Sequence, residues 1–563
     1  MMEISSVDVR NAISNLANII RAENIMSASY LELYVGDDAL ESVNNLNNQV
    51  VYGRRGSGKT HLLKALQEKI NGSFCDNRQV SIYIDSRKVL PHSESNCLTS
   101  EQIAQIVFRC IIQNLIDAFS QNVRAIFGRD DVISLKRDPL DADAINRLGT
   151  ILSSINLEIN GTSIRRLSEI SVTREEVRKA ELGVSVSSAP ILGLKQNDEQ
   201  KSNKTDLESS YISIFDVAKS LEGLVEWLDL SRVVCLVDEW SEIPISAQRH
   251  VAELIKKAFI SSRFTFKIAA IPNRTDLGSK TEEKFYGLED GGDIFGYQLD
   301  NRYVFEVDKQ RTRNFFNLLL YRHIESISPG LCNKILGKAA SDNFINCFLT
   351  NKALGELLIA SAGIPRDFIN LFIHAFDQFK NSKTKHISVK NIRSATSGWY
   401  ETDKKKQIDE HPVEKKLLQA IVEEIVIEKN SSHFMIGEQY SSNSHILSLV
   451  DFRVLHLRKK GYSHKDIPRE TFNVYSIDYG CYNHLNITRT NLDNDLLNSI
   501  NVHEDIREIR RIYLSDAFMQ KFQLNVGEAF FCPHCKKPVD TNHPAYVKQK
   551  LCNHCFEKAD SKQ

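Results

Sequence analysis

The stretch Gly53-Arg54-Arg55-Gly56-Ser57-Gly58-Lys59-Thr60 reads GxxxxGKT, and what flanks it decides the fold. Before it stands a short apolar run, Gln49 to Tyr52, and after it a helical pattern from His61 to Ile70. Strand, glycine-rich turn and helix in that order make a phosphate cradle: glycines let backbone N–H groups curl round an anion, and the helix start adds the positive end of its dipole. Lys59 is placed to reach the β and γ phosphates of a nucleoside triphosphate, and Thr60 to offer its hydroxyl to magnesium. The expected nucleotide contacts are Gly53, Arg54, Arg55, Gly56, Ser57, Gly58, Lys59 and Thr60, with His61 directly behind them. A chance glycine-rich turn is the competing reading, and the combination of strand, Lys-Thr and helix weighs against it.

Outward from this loop, short β-branched runs recur with helix-like stretches between them from about Val50 to Val307. That is how a parallel sheet covered by helices reads, so the class is α/β. The candidate strands are Gln49 to Tyr52, Val80 to Asp85, Val233 to Asp238, Phe264 to Ile271 and Tyr303 to Val307. Ser100 to Phe127 carries Ile103, Ile106, Val107, Cys110, Ile111, Leu115 and Ile116 at helical spacing. Residues at about 128–213 exceed what a helix and a loop need and read as an insertion, with a polar, mobile surface segment at Gln196 to Ser209.

The run Val233 to Glu239 ends in two acids, which an open α/β sheet presents at its ligand-binding edge. Asp238 suits the magnesium shell and Glu239 suits polarising the attacking water; the alternative is that both cap the following helix. After the strand ending at Ile271 comes Pro272-Asn273-Arg274, and Asn273 is the candidate sensor of the γ-phosphate, unless it simply forms the turn. Gly363-Ile364-Pro365-Arg366-Asp367 opens an apolar helix, from which Arg366 could reach over a nucleotide; a solvated helix-start arginine is the plain alternative.

Asp308 to Ser397 is helical by pattern, which suits a small lid, and lysine-rich Glu401 to Pro412 reads as a linker. From there to about Leu514 a mixed pattern, with a helix-like Ser444 to Lys460 and alternating Phe472, Val474 and Ser476, resembles a winged helix. Arg453, Arg458, Lys459, Lys460, Lys465 and Arg469 make that segment locally basic, and Tyr475, Tyr479 and Tyr482 lie beside it, a composition suited to DNA phosphates or to a merely solvated face. Cys532-Pro533-His534-Cys535 and Cys552-Asn553-His554-Cys555 give two CxxC pairs sixteen residues apart, a spacing that fits a closed four-cysteine zinc site. The expected division is 1–307 core with the insertion, 308–400 helical lid, 413–515 winged-helix-like α+β domain and 528–563 zinc ribbon.

Composition excludes more than it selects. With 563 residues, 42% hydrophobic and 25% charged, the chain is long enough for several cores and is no disulfide-stapled scaffold. Lys plus Arg (71) nearly balances Asp plus Glu (72), so any basic surface is local. The remaining seven of the eleven cysteines stand singly beside apolar residues, as reduced core thiols do. No stretch approaches a membrane span, and Met1 to Arg21 has no secretory or transit composition, so the expected location is cytoplasmic with no membrane partner.

Taken in order, the phosphate loop, the Asp238-Glu239 strand, the Pro272-Asn273 strand end and the Gly363-Ile364-Pro365-Arg366 motif resemble an AAA+ ATPase of the origin-recognition initiator clade, from about Tyr30 to Ser397. That resemblance implies a 5-1-4-3-2 strand order, ATP with Mg2+ held between core and lid, and homo-oligomers completed by a neighbour's arginine finger. Because the finger in such proteins precedes the last core strand, the matching position is Arg302. Double-stranded DNA is the implied partner, with Zn2+ folding the tail. The runner-up function is a defence-type signalling switch that senses a protein partner and recruits an effector in trans; a scaffold that binds ATP and barely hydrolyses it is the third.

Overall fold

The computed structural model describes residues 3–25, 29–88, 99–121, 228–260, 263–280, 284–300, 302–304, 308–337, 341–380, 384–429, 431–463, 470–484, 512–541 and 543–559, with a few positions between 218 and 226. The insertion at about 128–213, its polar segment, Lys465 and Arg469 lie outside the described residues. Two compact units emerge, one of Arg21–Gly53 with Ser57–Asp300, the other of Met1–Ile20, Arg54–Gly56 and Asn301–Gln563.

The first unit is built on a parallel sheet. Its strands are β1 (Gln49–Tyr52), β2 (Gln79–Asp85), β3 (Arg232–Asp238), β4 (Phe264–Ala270) and, beyond a small antiparallel pair β5 (Gly278–Lys280) and β6 (Phe285–Gly287), β7 (Phe295–Gln298). The order is β2-β3-β4-β1-β7. Successive side chains point to opposite faces, so Val233, Cys235 and Val237 enter one apolar core while Val234 and Leu236 enter the other. Helix α1 (Lys59–Gly72) covers the second face with Leu62, Leu63 and Leu66; α2 (Ser100–Gln121) and α3 (Ile245–Phe259) cover the first. Burial on both faces is why these strands read as continuous apolar runs.

The fifth strand of the described sheet is Phe295–Gln298, paired residue for residue with Gln49–Tyr52; of the strand expected over Tyr303 to Val307, Tyr303 and Val304 lie in no strand and the rest is outside the described residues. The half-exposed edge of Phe295–Gln298 gave it no apolar signature. Tyr303 belongs to a turn in the second unit, where its ring stacks on Phe315 at 3.6 Å, which explains its hydrophobic character.

The second unit begins its helical part with α4 (Lys309–Ile327), α5 (Asn351–Ala360), α6 (Pro365–Phe379) and α7 (Val389–Trp399). Phe316, Phe368 and Phe372 stack through its centre, with 4.3 Å between the first two rings. Helix Val7–Leu16 packs on α4 and α6 through Val9, Ala12, Ile13 and Leu16. The polar run Glu401 to Pro412 is no solvated linker. It continues α7 as a wide-turn segment, Tyr400–Lys404, and then α8 (Lys405–Asp409), because Tyr400, Lys404 and Ile408 fall on one buried face at i, i+4 spacing.

Next come α9 (Pro412–Ile421), β8 (His433–Gly437), α10 (Ser444–Asp451), β9 (Leu455–Ser463), β10 (Thr471–Ile477), β11 (Tyr513–Leu514) and α11 (Asp516–Val526). They form a four-stranded sheet, β11-β8-β10-β9, with the antiparallel ribbon β9/β10 of a winged-helix α+β fold. The helix read over Ser444 to Lys460 stops at Asp451: Arg453 takes a left-handed φ of 61°, which ends it, and the chain re-enters as a strand. The ribbon β12 (Ala529–Phe531) and β13 (Pro538–Asp540) closes the fold. Among the described residues no helix is long and apolar enough to cross a membrane.

Phe368→Ala removes a fully buried stacked ring and is expected to cost about 3–5 kcal/mol by denaturant unfolding. Leu318→Ala, at a position 37% exposed, is expected to cost under about 1 kcal/mol.

Candidate functional site

The sheet order places three strand ends side by side. Strand β4 lies between β1 and β3, with Tyr52 opposite Ala270 and Val237 opposite Ile268. The glycine loop leaves β1, the acids leave β3, and Asn273 follows β4 in the short turn Pro272–Arg274, all at one edge. Adjacent strands lie about 4.8 Å apart, so loop and acids are separated by about 10 Å, with Asn273 in the turn after the strand between them.

Within the loop, Gly56 (φ 86°) and Gly58 (φ 96°) hold left-handed conformations that a side chain would strain. A Cβ at Gly58 would meet nothing within 4 Å, so its side of the loop is open. Lys59 is buried and its Nζ donates to the Gly53 carbonyl at 2.7 Å. The Ser57 Oγ is buried with no hydrogen-bond partner among the described residues, an orphan that suits an anion acceptor. Arg55 is exposed and Thr60 half-buried in the first turn of α1. These residues fit a polyphosphate and its metal.

Two of the expected contacts point elsewhere. The His61 ring meets the Tyr30 carbonyl at 2.9 Å and packs edge-on against Tyr30 and Tyr34, and burial pushes its pKa down to about 4. The Arg54 guanidinium is buried and bonded to His456 and to the Ala362 carbonyl, so its side chain is committed away from a bound anion.

Asp238 is fully buried; its carboxylate accepts from the Tyr83 hydroxyl at 2.6 Å and from the Glu239 N–H at 2.8 Å. Glu239 sits at φ 54° before the short turn Trp240–Glu242 and makes no side-chain capping bond to it. Strain of this kind is held where the side chain has another task. Burial, with Asp238 adjacent, pushes the Glu239 carboxyl above its ordinary range against the pull of Lys59 and Arg87. Tyr83 was not legible as a site residue, since only the β2-β3 pairing brings it beside Asp238.

In the second unit, Arg366 stands in the first turn of α6. Its N–H donates to the Gly56 carbonyl at 3.3 Å, and a Cβ on Gly56 would lie 2.8 Å from the Arg366 Cβ. The first turn of α6 therefore lies against Gly56. Arg302 follows the last core strand instead of preceding it, so the positional ground for reading it as an arginine finger is gone.

The family profile described as ORC-CDC6-like matches residues 15–347, more than half of the chain. The chain belongs to the ORC-CDC6-like family. It is thus an AAA+ protein of the origin-recognition type, and the 5-1-4-3-2 order expected of such a core is the one observed. No curated protein matches the sequence. Among solved structures, the Aeropyrum pernix ORC1 protein in complex with DNA is similar at 12% identity over 83% of this chain and 93% of that one, with a TM-score of 0.31. Drosophila ORC bound to DNA matches at 11% identity over 89% and 93%, TM-score 0.31. Cdc6p from Pyrobaculum aerophilum matches at 11% over 87% and 97%, TM-score 0.28.

At the C-terminal end of this ORC-CDC6-like chain, Cys532, Cys535, Cys552 and Cys555 bring their sulphurs within 4.8 Å of one another. The Cys532–Cys555 and Cys535–Cys552 separations are both 3.7 Å. Tetrahedral zinc–thiolate bonds of 2.3 Å put sulphurs about 3.8 Å apart, whereas a disulfide holds them at about 2.05 Å, so the donor set fits zinc. The two knuckles repeat one backbone pattern: the N–H groups of Lys536 and Phe556 donate to the carbonyls of Cys532 and Cys552, at φ 60° in each. His534 and His554 are exposed.

The winged-helix basic residues divide. Arg453 is buried against Asp367 and Asp403, and Arg458 donates to Ser476, whereas Lys459 and Lys460 are exposed on β9. The expected basic helix is thus replaced by an exposed lysine pair on a ribbon. Nearby, His445 bridges two carboxylates, Nδ1 to Glu414 at 2.9 Å and Nε2 to Glu528 at 2.7 Å. Burial lowers its pKa, but Glu528 and Glu414 outweigh it and the net shift is upward.

Two measurements check these sites. Cys552→Ser is expected to abolish the equivalent of bound zinc found by elemental analysis and to raise hydrogen exchange across 529–559, with the core unaffected; a metal-free wild-type protein with a protected ribbon would contradict the assignment. Because the folded pKa of His445 exceeds the unfolded one, its stabilisation is complete below about pH 6.5 and lost as pH rises through the folded value. The melting midpoint of wild type relative to His445→Gln is expected to fall over that window, and parallel curves would refute the clamp.

Proposed function

We propose that the chain binds and hydrolyses ATP with magnesium and couples its nucleotide state to oligomerisation and DNA association. The observation that carries this reading is the alignment of the glycine loop, Asn273 and Asp238-Glu239 on adjacent strand ends. In the proposed site, loop N–H groups from Gly53 to Thr60 take the phosphates and Lys59 moves its ammonium from the Gly53 carbonyl to them. Thr60 and Asp238 hold magnesium, which draws charge from the β and γ phosphate oxygens when bound. Tyr83 fixes the Asp238 carboxylate.

Glu239 takes a proton from the attacking water as its oxygen bonds to the γ-phosphorus and the bond to the bridging oxygen breaks. Asn273 lies beside that phosphate, and Arg366 carries its state into the lid. The exposed Lys459 and Lys460 are the proposed phosphate contacts for duplex DNA, and a second copy of the chain supplies the oligomer contact.

Glu239→Gln is expected to lower turnover by about 10²- to 10⁴-fold while ATP uptake persists, and Lys59→Ala to abolish uptake in equilibrium dialysis. Paired Lys459→Ala and Lys460→Ala changes are expected to weaken duplex binding and flatten its salt slope by about 2. A purified chain that hydrolyses ATP yet ignores duplex DNA at low salt, and responds instead to a protein ligand, would replace the DNA reading with a signalling switch.

A further inference from the structure

Arg54 is an unusual member of a phosphate loop, because its side chain runs into a buried chain of charges rather than to the anion. Its Nη1 lies 2.5 Å from Nδ1 of His456 on β9. A guanidinium only donates, so Nδ1 is the acceptor and the proton of the neutral ring sits on Nε2. That Nε2 is 3.0 Å from the Asp478 carboxylate, which also receives the Lys404 ammonium at 2.6 Å. From Lys404 the chain passes at 3.7 Å to Asp367, next to Arg366 in the lid, and Asp367 accepts from Arg453 at 2.6 Å. Arg453 also binds Asp403.

Three cations, Arg54, Lys404 and Arg453, thus face three carboxylates, Asp478, Asp367 and Asp403, and apart from Asp403 every charged member is under 9% exposed. Burial and the neighbouring Arg54 hold the His456 pKa well below its ordinary value against the pull of Asp478, while Lys404 and His456 hold the Asp478 carboxyl low despite its burial. With no solvent to screen them, a displacement of one member is felt by the next. Four segments distant in sequence share this cluster: the phosphate loop, the first turn of α6, the wide turn after α7, and the β9/β10 ribbon with the turn before it, which carries Arg453, and the residue after it.

We propose that Arg54 and His456 form a relay by which occupancy of the phosphate loop sets the position of the β9/β10 ribbon, making the winged-helix region a reader of nucleotide state. The inference rests on the ATP-binding reading above and adds its regulation. Arg54 and His456 are positioning residues: neither touches substrate. When the loop closes on phosphate, the Arg54 backbone shifts with it, the guanidinium changes its hold on Nδ1, and the ribbon carrying Lys459 and Lys460 follows. Coupling is reciprocal, so a ligand on the ribbon alters nucleotide affinity by the same factor.

Hydrogen exchange of the full chain tests the relay, comparing no nucleotide, ADP and a non-hydrolysable ATP analogue. Amides of Leu455–Ser463 and Thr471–Ile477 in wild type are expected to change exchange rate by about 5- to 150-fold on nucleotide binding. His456→Leu is expected to cancel that change while retaining nucleotide uptake. His456→Gln is expected to restore part of it, since its amide oxygen accepts from Arg54 and its NH2 donates to Asp478. An unchanged response in His456→Leu overturns the relay. If that variant does not fold, the wild-type comparison decides alone: nucleotide uptake without any change in the ribbon overturns the relay and leaves the ATP reading standing, whereas no uptake at all removes both.

Discussion

The alignment of the glycine loop, Asn273 and the Asp238-Glu239 pair depends on one strand order. With β4 between β1 and β3, parallel pairing forces the loop after β1, the polar residue after β4 and the acids after β3 to leave the sheet at the same edge. Parallel strands all end on one side, which antiparallel pairing cannot achieve. Any other order would leave the same motifs intact in sequence and scattered in space. Apolar burial on both faces fixes the register of these strands, since a slip of one residue would exchange Val233, Cys235 and Val237 with Val234 and Leu236 between two differently shaped cores.

The second constraint is electrostatic. A buried ion pair rarely adds much stability over a hydrophobic replacement, because desolvation consumes the attraction. Breaking one is costly, because a lone charge is left behind. The cluster of Arg54, Lys404 and Arg453 with Asp367, Asp403 and Asp478 therefore holds one arrangement sharply without strengthening the fold in proportion. Such a device suits a boundary between a phosphate loop and the helices and ribbon that respond to it, where discrimination between two arrangements matters more than depth of either.

How far the sequence carried depended on the range of the interactions. The glycine loop, the acid-tipped strand and the paired CxxC knuckles are local, each a turn or two long, and they were readable as they stood. Most of the failures are cases where a distant partner decides. Phe295–Gln298 is a strand because β1 pairs with it, not because it is apolar. Lysine-rich 401–412 looked solvated, yet Lys404 is buried because Asp478, seventy-four residues later, receives it. Arg453 looked like a DNA contact until Asp367 and Asp403 claimed it. Tyr83 carried no motif at all. Charge patterning in one dimension cannot distinguish a cation facing water from one facing a carboxylate brought in by the fold.

The C-terminal ribbon shows the same division between local and borrowed stability. Its own core consists of Val539, Tyr546, Ala559 and the buried members of the cysteine set, with Phe531, Val547 and Phe556 left exposed. So small a cluster falls short of the conformational entropy of ordering about thirty residues, a difference that a metal held by the four cysteines would supply. Placement of the ribbon is a separate matter from its folding. Glu528, immediately before β12, is tied through His445 to Glu414 at the start of α9. The ribbon therefore carries its own four-cysteine set and is tied to α9 by the His445 bridge.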